Sequence, residues 1–425
     1  MALTDTVIAT SESSTPKGSA FSALSVRNYR LFTTGQVISN SGTWMQRIAQ
    51  DWLVLSLTNS AFSVGIVTAL QLGPMLFFGL FGGAIADAHS RRKLLLVTQS
   101  TMALLAATLA VLTLSGTVHV QQVYAVALLL GLITCVDNPT RQAFVSEMVP
   151  HSFLRSAIGL NSANFQLARV IGPAISGALI VTVGVGWAFA FNALSFIAVI
   201  ICLLMMRESE LSRPPTTERG RGQIRAGLRY ITSKPELMWP IILVFFIGTF
   251  AMNSAIVFAV FAKDVFDGGA AMFGLFTTLM AVGALLGALL AARFSRRSLS
   301  ILIGLTAVVG LVQICTAFSP TVAIFIAGIM LFGALVVAFN ISANTSVQMA
   351  SDPSMRGRVM SVYMMAFIGG TPIGGPFIGW ITEQYGARAG MAMCGVIPAI
   401  AAGVLALVLW LAHRRTPSEV SVATR

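Results

Sequence analysis

Charged side chains are scarce in this sequence. Only 10% of its 425 residues are Asp, Glu, Lys or Arg, whereas 56% are hydrophobic. A soluble domain carries about a quarter charged residues, so this chain lacks the polar surface that a water-facing globule needs. Uncharged stretches such as 94–115 and 299–318 are long enough to cross a hydrocarbon core of about 30 Å. They do not alternate with a period of two, so we predict membrane helices and not barrel strands.

Other chemically reactive groups are equally sparse. The four cysteines, Cys135, Cys202, Cys315 and Cys394, all fall in predicted spans, where packing is expected and no disulfide or zinc site is. No G-x-x-x-x-G-K-[ST] loop occurs, so the sequence lacks this nucleotide-binding site. No nucleophile–base set or metal cluster converges in the spans. We therefore predict neither an enzyme nor a bound cofactor or metal.

The basic residues define a topology. We predict twelve transmembrane helices, at 31–57, 61–86, 94–115, 121–140, 157–183, 185–206, 237–262, 270–292, 299–318, 321–348, 359–382 and 388–412. With the N-terminus inside, nearly all of the 27 Lys and Arg residues are cytoplasmic. Lys263 and Arg388 fall outside, and Arg47 and Arg169 fall within spans. The net charge of +12 therefore indicates orientation and no nucleic-acid partner. We expect a multi-pass protein of the plasma or inner membrane with both termini cytoplasmic.

The longest polar interval, 207–236, separates six spans from six. Within it Ile224, Leu228 and Ile231 share one helical face, which predicts a short interfacial helix. The first twenty residues show no signal-peptide pattern and suggest a disordered tail. The predicted organisation is a cytoplasmic tail at 1–28, a six-helix bundle at 29–206, a cytoplasmic linker at 207–236, a second six-helix bundle at 237–412 and a cytoplasmic tail at 413–425.

The two halves resemble each other. At one constant offset Gly131 matches Gly333, Asn138 matches Asn340, Gly172 matches Gly374 and Gly177 matches Gly379; at a nearly equal offset Arg91-Arg92 matches Arg296-Arg297. Secondary transporters use such repeats to build a central site between two rocking bundles. The predicted fold is thus an all-α membrane protein of two pseudo-symmetric six-helix bundles.

The loop after the second helix carries a motif. Gly82-Gly83 is followed by Asp87 and then by Arg91-Arg92, which resembles the loop signature of the major facilitator superfamily. Ala88 and Ser90 depart from that signature. The resemblance implies a conformational gate that includes Asp87, Arg91 and Arg92; the alternative is an ordinary basic cytoplasmic loop.

The fifth helix carries Gly159, Gly172-Pro173 and Gly177. This pattern is similar to the signature of exporting, antiporter-type members of the superfamily, although Ala168 and Ser176 stand where that signature has glycine. It implies that Gly172 and Pro173 act in gating, through a helix that packs closely against the other bundle. Simple helix packing is the alternative.

Further segments narrow the resemblance. Residues 28–30, 41–46, 50–53 and 137–143 resemble the drug and siderophore exporter branch of the superfamily, which includes the enterobactin exporter and macrolide efflux pumps. The resemblance covers residues 21–412. It implies export of antibiotics, siderophores or other metabolites in exchange for protons. One departure is Leu128, which stands where the family usually has an arginine on the fourth helix.

Three charged residues lie well inside the spans: Arg47 and Asp51 on the first helix, and Arg169 on the fifth. Charges at membrane depth cost roughly 2.5–3.5 kcal/mol each and usually serve a function. Our hypothesis is that Asp51 binds and releases the proton. Arg47 or Arg169 would become its ion-pair partner as the charge of the carboxyl group changes. The alternative is a permanent ion pair that holds the two helices together.

Uncharged polar residues suggest a substrate cavity. The predicted members are Gln36, Asn40, Thr43, Trp44, Asn253, Asn340, Asn344 and Gln348. Trp44 could stack on an aromatic or cationic substrate, or could pack against other helices. Asp137 and Arg141, an i,i+4 pair at the end of the fourth helix, could belong to the gate or form a salt bridge at the membrane boundary.

The leading hypothesis is a proton-coupled antiporter that exports hydrophobic or amphipathic drugs by alternating access. The runner-up is a dedicated exporter of a siderophore or other metabolite. A lipid scramblase or a non-transporting membrane sensor would need no titratable pair within the membrane. The expected partners are membrane lipids, a small-molecule substrate and protons, and the expected functional unit is a monomer.

Overall fold

The computed structural model describes residues 21–212, 223–291 and 298–415. Regular structure within these ranges is entirely helical, with α1 Arg27–Thr58, α2 Ala61–Ala88, α3 Arg91–Leu114, α4 Val120–Met148, α5 Leu154–Thr182, α6 Val185–Leu204, α7 Gln223–Thr232, α8 Pro235–Thr249, α9 Ser254–Val260, α10 Gly269–Ala291, α11 Leu299–Ala317, α12 Val322–Ala350, α13 Arg356–Gly369 and α14 Thr371–Arg415. Most of the predicted tails, Arg296, Arg297 and residues 213–222 lie outside the described residues.

Ten stretches of the described residues are long and apolar enough to cross a membrane. The last of them, Arg356–Leu411, has 56 residues and reverses at Gly386, whose φ of 85° only glycine adopts readily. The 32-residue α1 is also long enough to span, although a polar stripe lowers its hydropathy. Dividing the long stretch and adding α1 gives the twelve predicted transmembrane helices.

Local chemistry sets several of the helix ends. Asn59 adopts a left-handed conformation and its N–H caps α1 by donating to the carbonyl of Leu55. The Ser60 hydroxyl then accepts from the N–H of Ser63 and begins α2. Thr321 caps the start of α12 in the same way. These caps satisfy backbone groups where the chain turns between spans.

Two predicted spans are not continuous α-helices. The seventh is interrupted by a 3₁₀ turn at Ala251–Asn253, and the eleventh breaks between α13 and α14. The breaks meet, because the Asn253 amide donates to the carbonyls of Thr249 at 2.6 Å and Thr371 at 3.3 Å. The Thr371 hydroxyl donates to the Gly248 carbonyl at 3.0 Å. Side chains thus satisfy backbone groups that the broken helices leave free, as the membrane interior requires.

The matched glycines occupy equivalent places in the two bundles. Gly131 on α4 meets the backbone of α2, and Gly333 on α12 meets the backbone of α10. Gly172 on α5 packs on α1, just as Gly374 on α14 packs on α8. The internal repeat predicted from the sequence therefore corresponds to a structural pseudo-symmetry, in which equivalent helices approach closely where a side chain is missing.

Hydrogen bonds between the two bundles mark one side of the molecule. We call the side that holds residues 21–30 and 351–356 the terminal side, and the side that holds residues 59–60 and 386 the distal side. Hydrogen bonds that join the two bundles within the described ranges all lie on the distal side. The bundles consequently close distally around a central cavity.

The helix α7 lies within the predicted linker, where the sequence predicts a short helix, and packs on α13 through Gly227, which lies against Arg358. Its end is held by Lys234, whose ammonium group donates to the Tyr230 hydroxyl at 2.8 Å and to the Asp352 carboxylate at 3.3 Å. The hydrogen bonds to Tyr230 and Asp352 raise the pKa of Lys234, and those to Tyr230 and Lys234 lower the pKa of Asp352. Both shifts favour the charged forms that join the linker to the second bundle.

Candidate transport site between the two bundles

The central cavity lies between the bundles and has a volume of about 230 Å³. Helix α5 of the first bundle supplies its polar corner, Gln166 and Arg169. The second bundle supplies an apolar wall together with one amide, that of Asn340; the wall residues are Met252, Met280, Ala284, Phe332, Gly333, Val336, Val337, Ile341 and Phe367. A cationic corner that faces an apolar wall suits an amphipathic small molecule.

Behind the polar corner, Trp44 lies between two arginines. The guanidinium carbon of Arg47 lies 5.6 Å from the centroid of its ring, and that of Arg169 lies 5.8 Å away. Phe165 contacts the same ring edge-on, at 5.8 Å between centroids. Because both guanidinium groups are within cation–π range of one ring, Trp44 joins the arginines of α1 and α5 in a single cluster.

Asp51 lies one helical turn beyond Arg47 toward the distal side, and only 5% of it is exposed. It interacts electrostatically with Arg47. Within the described part of the chain no Lys or Arg nitrogen lies within 4.0 Å of its carboxylate. In this conformation, therefore, the side chains predicted for proton coupling lie close together without a direct ion pair.

We call the contacts between the bundles on the distal side the distal closure. Lys263 donates to the Asn59 side chain and to the Leu55 carbonyl, at the C-terminal end of α1. The Glu383 carboxylate accepts from the Ser60 hydroxyl and from the Phe62 N–H, at the start of α2. A cation at a helix C-terminus and an anion at a helix N-terminus both complement the helix dipole.

The distal closure also contains apolar contacts. The rings of Trp52 and Phe273 stack with centroids 6.3 Å apart. Gly177 and Gly274 bring α5 and α10 together, since a Cβ built on Gly274 would lie 2.8 Å from the Cα atom of Gly177. Trp52 immediately follows Asp51, so α1 carries both the candidate proton site and a residue of the closure.

A family model described as transmembrane secretion effector matches residues 18–422. The chain belongs to this family of the major facilitator superfamily. The predicted family and fold class are thereby confirmed.

Two curated relatives and one solved structure illustrate the similarity. The chain is 28% identical over 250 residues to the staphyloferrin A transporter of Staphylococcus aureus; the match covers 58% of this chain and 62% of that protein's length. It is 25% identical over 411 residues to the enterobactin exporter EntS of Shigella flexneri, covering 93% of this chain and 95% of the relative. A crystal structure of a bacterial homolog to the human lysosomal transporter Spinster, inward-facing and unoccupied, superposes with a TM-score of 0.72 at 15% identity, covering 92% of this chain and 99% of that one.

The structure places the predicted cavity residues at different sites. Asn340 lines the cavity. Gln36 and Asn40 are buried and accept hydrogen bonds from Arg141 at 3.1 and 3.0 Å. Their side chains therefore join α1 to α4 within the first bundle.

The remaining predicted cavity residues also have local partners. Thr43 donates to the Ser39 carbonyl within α1. The Gln348 amide donates to the side chain of Asn344 at 2.6 Å, on the part of α12 toward the terminal side. Asn253 joins the two helix breaks. In the described conformation, these four residues are not among those that line the cavity.

Asp137 and Arg141 form an ion pair that is part of a buried network. Asp137 has no exposed surface, and its carboxylate also accepts from the Thr98 hydroxyl and the Gln99 amide, each at 2.8 Å. All of these groups belong to the first bundle.

The predicted loop motif has an additional partner. Arg91 lies 3.7 Å from Asp87 and donates to the carboxylate of Glu147 at 2.9 Å. Arg92 donates to the Leu203 carbonyl at 2.8 Å. Glu147 is 6% exposed and was not among the predicted site residues. Its position near the end of α4, outside the predicted span, concealed its burial from sequence reasoning.

Gly172 and Pro173 serve two interfaces of α5. A side chain at Gly172 would clash with Trp44 on α1, and the Pro173 carbonyl lies beside Gly274 on α10.

Sequence reasoning missed Gly274, Lys263 and Glu383, because a loop charge or a lone glycine does not reveal which residue of the other bundle it meets.

Proposed function

We propose that this transporter exports a siderophore or a similar amphipathic metabolite in exchange for protons. The observation that carries the proposal is the cavity between the bundles, which has a cationic corner, an apolar wall and a closed distal side. Alternating access requires such a site, since closing one side and opening the other moves the bound molecule across the membrane. The described conformation is the one that loads substrate from the terminal side.

The named relatives favour a dedicated metabolite exporter over a broad drug pump. One is a staphyloferrin A transporter and the other an enterobactin exporter. Each name specifies one siderophore. A cavity with Arg169, Gln166 and Asn340 offers hydrogen bonds to such a molecule, whereas a broad drug pump would rely mainly on its apolar wall.

Proton coupling is proposed for Asp51. Its neighbour Trp52 stacks on Phe273 across the distal closure, so opening the distal side would expose the surroundings of Asp51. A proton would bind there from the distal side and leave after the bundles reverse. Arg47, one helical turn away, provides a positive charge near the carboxylate once the proton has left.

The orientation follows from the basic residues. With both termini cytoplasmic, the terminal side faces the cytoplasm and the distal side faces the exterior of the plasma or inner membrane. The cavity lies within one chain, so a monomer would suffice for transport.

Reconstituted liposomes test this function. The full chain is reconstituted with a pH-sensitive dye inside, a pH gradient is imposed, and enterobactin, staphyloferrin A and a panel of hydrophobic drugs are added in turn. We expect one siderophore-like metabolite to drive proton flux at low concentration, with little response to the drugs. Flux with many unrelated drugs would support the broad pump, and no flux with any compound would remove the antiporter proposal.

Enlarging Gly274 should prevent distal closure. A Gly274→Leu side chain would meet Pro173 and Gly177 of α5, and such overpacking costs about 1–3 kcal/mol. That cost shifts the conformational equilibrium roughly 5- to 150-fold toward the distally open state. Labelling of a cysteine placed at Ala270, which is 5% exposed and lies beside Gly177 at the contact between α5 and α10, should accelerate accordingly, and transport should fall.

The matched control is Gly304→Leu on α11, where an added Cβ meets no atom within 4 Å. This variant should keep the labelling rate and the transport rate of the parent protein. Equal labelling of the two leucine variants would show that the contact between α5 and α10 does not control distal closure.

A further inference from the structure

We infer that the cavity selects an anionic substrate, whose carboxylate or other oxyanion binds Arg169 and Gln166 while its apolar body lies on the wall of the second bundle. This inference deepens the proposed export function and rests on it for the direction of transport. Its basis is the balance of charge around the cavity.

The charges at the site do not cancel. Arg47 and Arg169 flank the same indole ring, and they repel each other electrostatically. Guanidinium groups stay protonated in proteins. The acidic group of this cluster is Asp51, so one positive charge remains even when Asp51 is ionised. Asp137 lies in the same bundle but is already paired with Arg141, and the residues that line the cavity include no acid.

Uncompensated charge at membrane depth is unfavourable, and the usual remedy is a counter-charge. The face of Trp44 attracts the two guanidinium groups, but an aromatic ring carries no net negative charge. A substrate oxyanion would supply the missing charge, and the planar fork of Arg169 matches the geometry of a carboxylate. Gln166, one helical turn before Arg169 on α5, adds an amide donor at the same corner.

The same arrangement disfavours a cationic substrate. Stacking of a cation on Trp44, one of the roles considered from the sequence, would place a third positive charge near Arg47 and Arg169. The opposite wall has no group to offset that repulsion: it consists of methionines, phenylalanines and small aliphatic residues around Asn340. The wall instead accommodates an aromatic or aliphatic body once the anionic end is held.

Binding to a matched set of probes tests the inference. The full chain in phosphatidylcholine nanodiscs is titrated with 2-naphthylacetate, its neutral amide and 2-naphthylethylammonium, and binding is followed by the rise in thermal unfolding temperature. We expect saturable stabilisation by the carboxylate, with at least about tenfold weaker binding of the amide and the ammonium ion. Equal binding of the three probes, or no carboxylate binding up to about 10 mM, would overturn the inference.

Substitutions of Arg169 test whether this residue binds the anion. Arg169→Gln should weaken carboxylate binding at least about tenfold and make carboxylate and amide equivalent, whereas Arg169→Lys should keep the preference for the carboxylate. The matched control is Arg155→Gln, an exposed arginine near the start of the same helix, which should bind like the parent protein. Unchanged carboxylate binding by a folded Arg169→Gln protein would exclude this arginine as the anion site.

Two further measurements are needed. The first distinguishes a substrate oxyanion from a lipid headgroup, and the second distinguishes the anion site from the export function. Adding phosphatidylglycerol to the nanodiscs should leave carboxylate affinity unchanged; competition would identify a lipid headgroup as the occupant. Proton flux is measured separately in liposomes. If the protein binds the carboxylate selectively but shows no proton flux, the proton-coupled export function is wrong and the anion site stands. If only neutral metabolites drive proton flux, the export function stands and the anion site is wrong.

Discussion

An Asp51→Asn protein is expected to lose substrate-driven proton flux by about a hundredfold or more, the size of effect seen when a proton-transferring side chain is removed. The asparagine amide has nearly the same shape but does not carry a proton at neutral pH. The position is buried on α1, one turn from Arg47 and next to the Trp52–Phe273 contact of the distal closure. Flux is measured in liposomes with an imposed pH gradient.

Substrate binding should survive this change, because Asp51 does not line the cavity. Asp51→Glu is the matched control: it keeps a carboxyl group one methylene further out and should retain part of the flux. Thermal unfolding temperature and elution as a single species establish that both variants fold. Full proton flux from a folded Asp51→Asn protein would show that another group carries the proton.

Asp137→Leu is expected to destabilise the first bundle by about 3–5 kcal/mol, the usual cost of removing one partner from a buried ion pair. The change leaves the Arg141 guanidinium without its counter-charge and removes the acceptor of Thr98 and Gln99. Asp137→Asn should cost less, because its amide oxygen still accepts a hydrogen bond. Thermal unfolding in detergent measures both losses.

The matched control is Glu208→Leu, which also removes a carboxylate paired with an arginine, here Arg92 at 3.3 Å. The Glu208 side chain is 60% exposed. Exposed pairs contribute at most about 1 kcal/mol, so this variant should unfold close to the parent temperature. If Asp137→Leu retained parental stability but changed cysteine labelling on the two sides, Asp137 would act in gating and not in holding the bundle together.

Much of the architecture could be predicted because its signals are local. Apolar length and loop charge indicate the spans, and the glycine pairs Gly131–Gly333 and Gly172–Gly374 indicate the repeat that the structure then shows. The interruptions of the seventh and eleventh spans could not be predicted in this way. Apolar length does not mark the breaks, although Gly369-Gly370-Thr371-Pro372 stands at the second one. The contact between the two breaks depends on Asn253, which donates to a carbonyl of each span.

The candidate site was less predictable, because polarity along a helix does not reveal the partner of each side chain. Gln36 and Asn40 share the polar stripe of α1 with Asp51, yet the structure directs them to Arg141 on α4. Gln166 and the methionines and phenylalanines of the wall line the cavity although no charge marks them. Residues distant in sequence become one site only when the two bundles pack.

Hydrophobic length and residue spacing indicate the class of protein, the number of spans and the relation between the halves, because these signals are local to each helix. Which side of the bundles is closed, and which residues close it, is seen only in the packed structure. The packed structure also shows that Arg47 and Arg169 share one aromatic ring. These features depend on contacts between helices far apart in the chain, where distance and burial determine which charges interact.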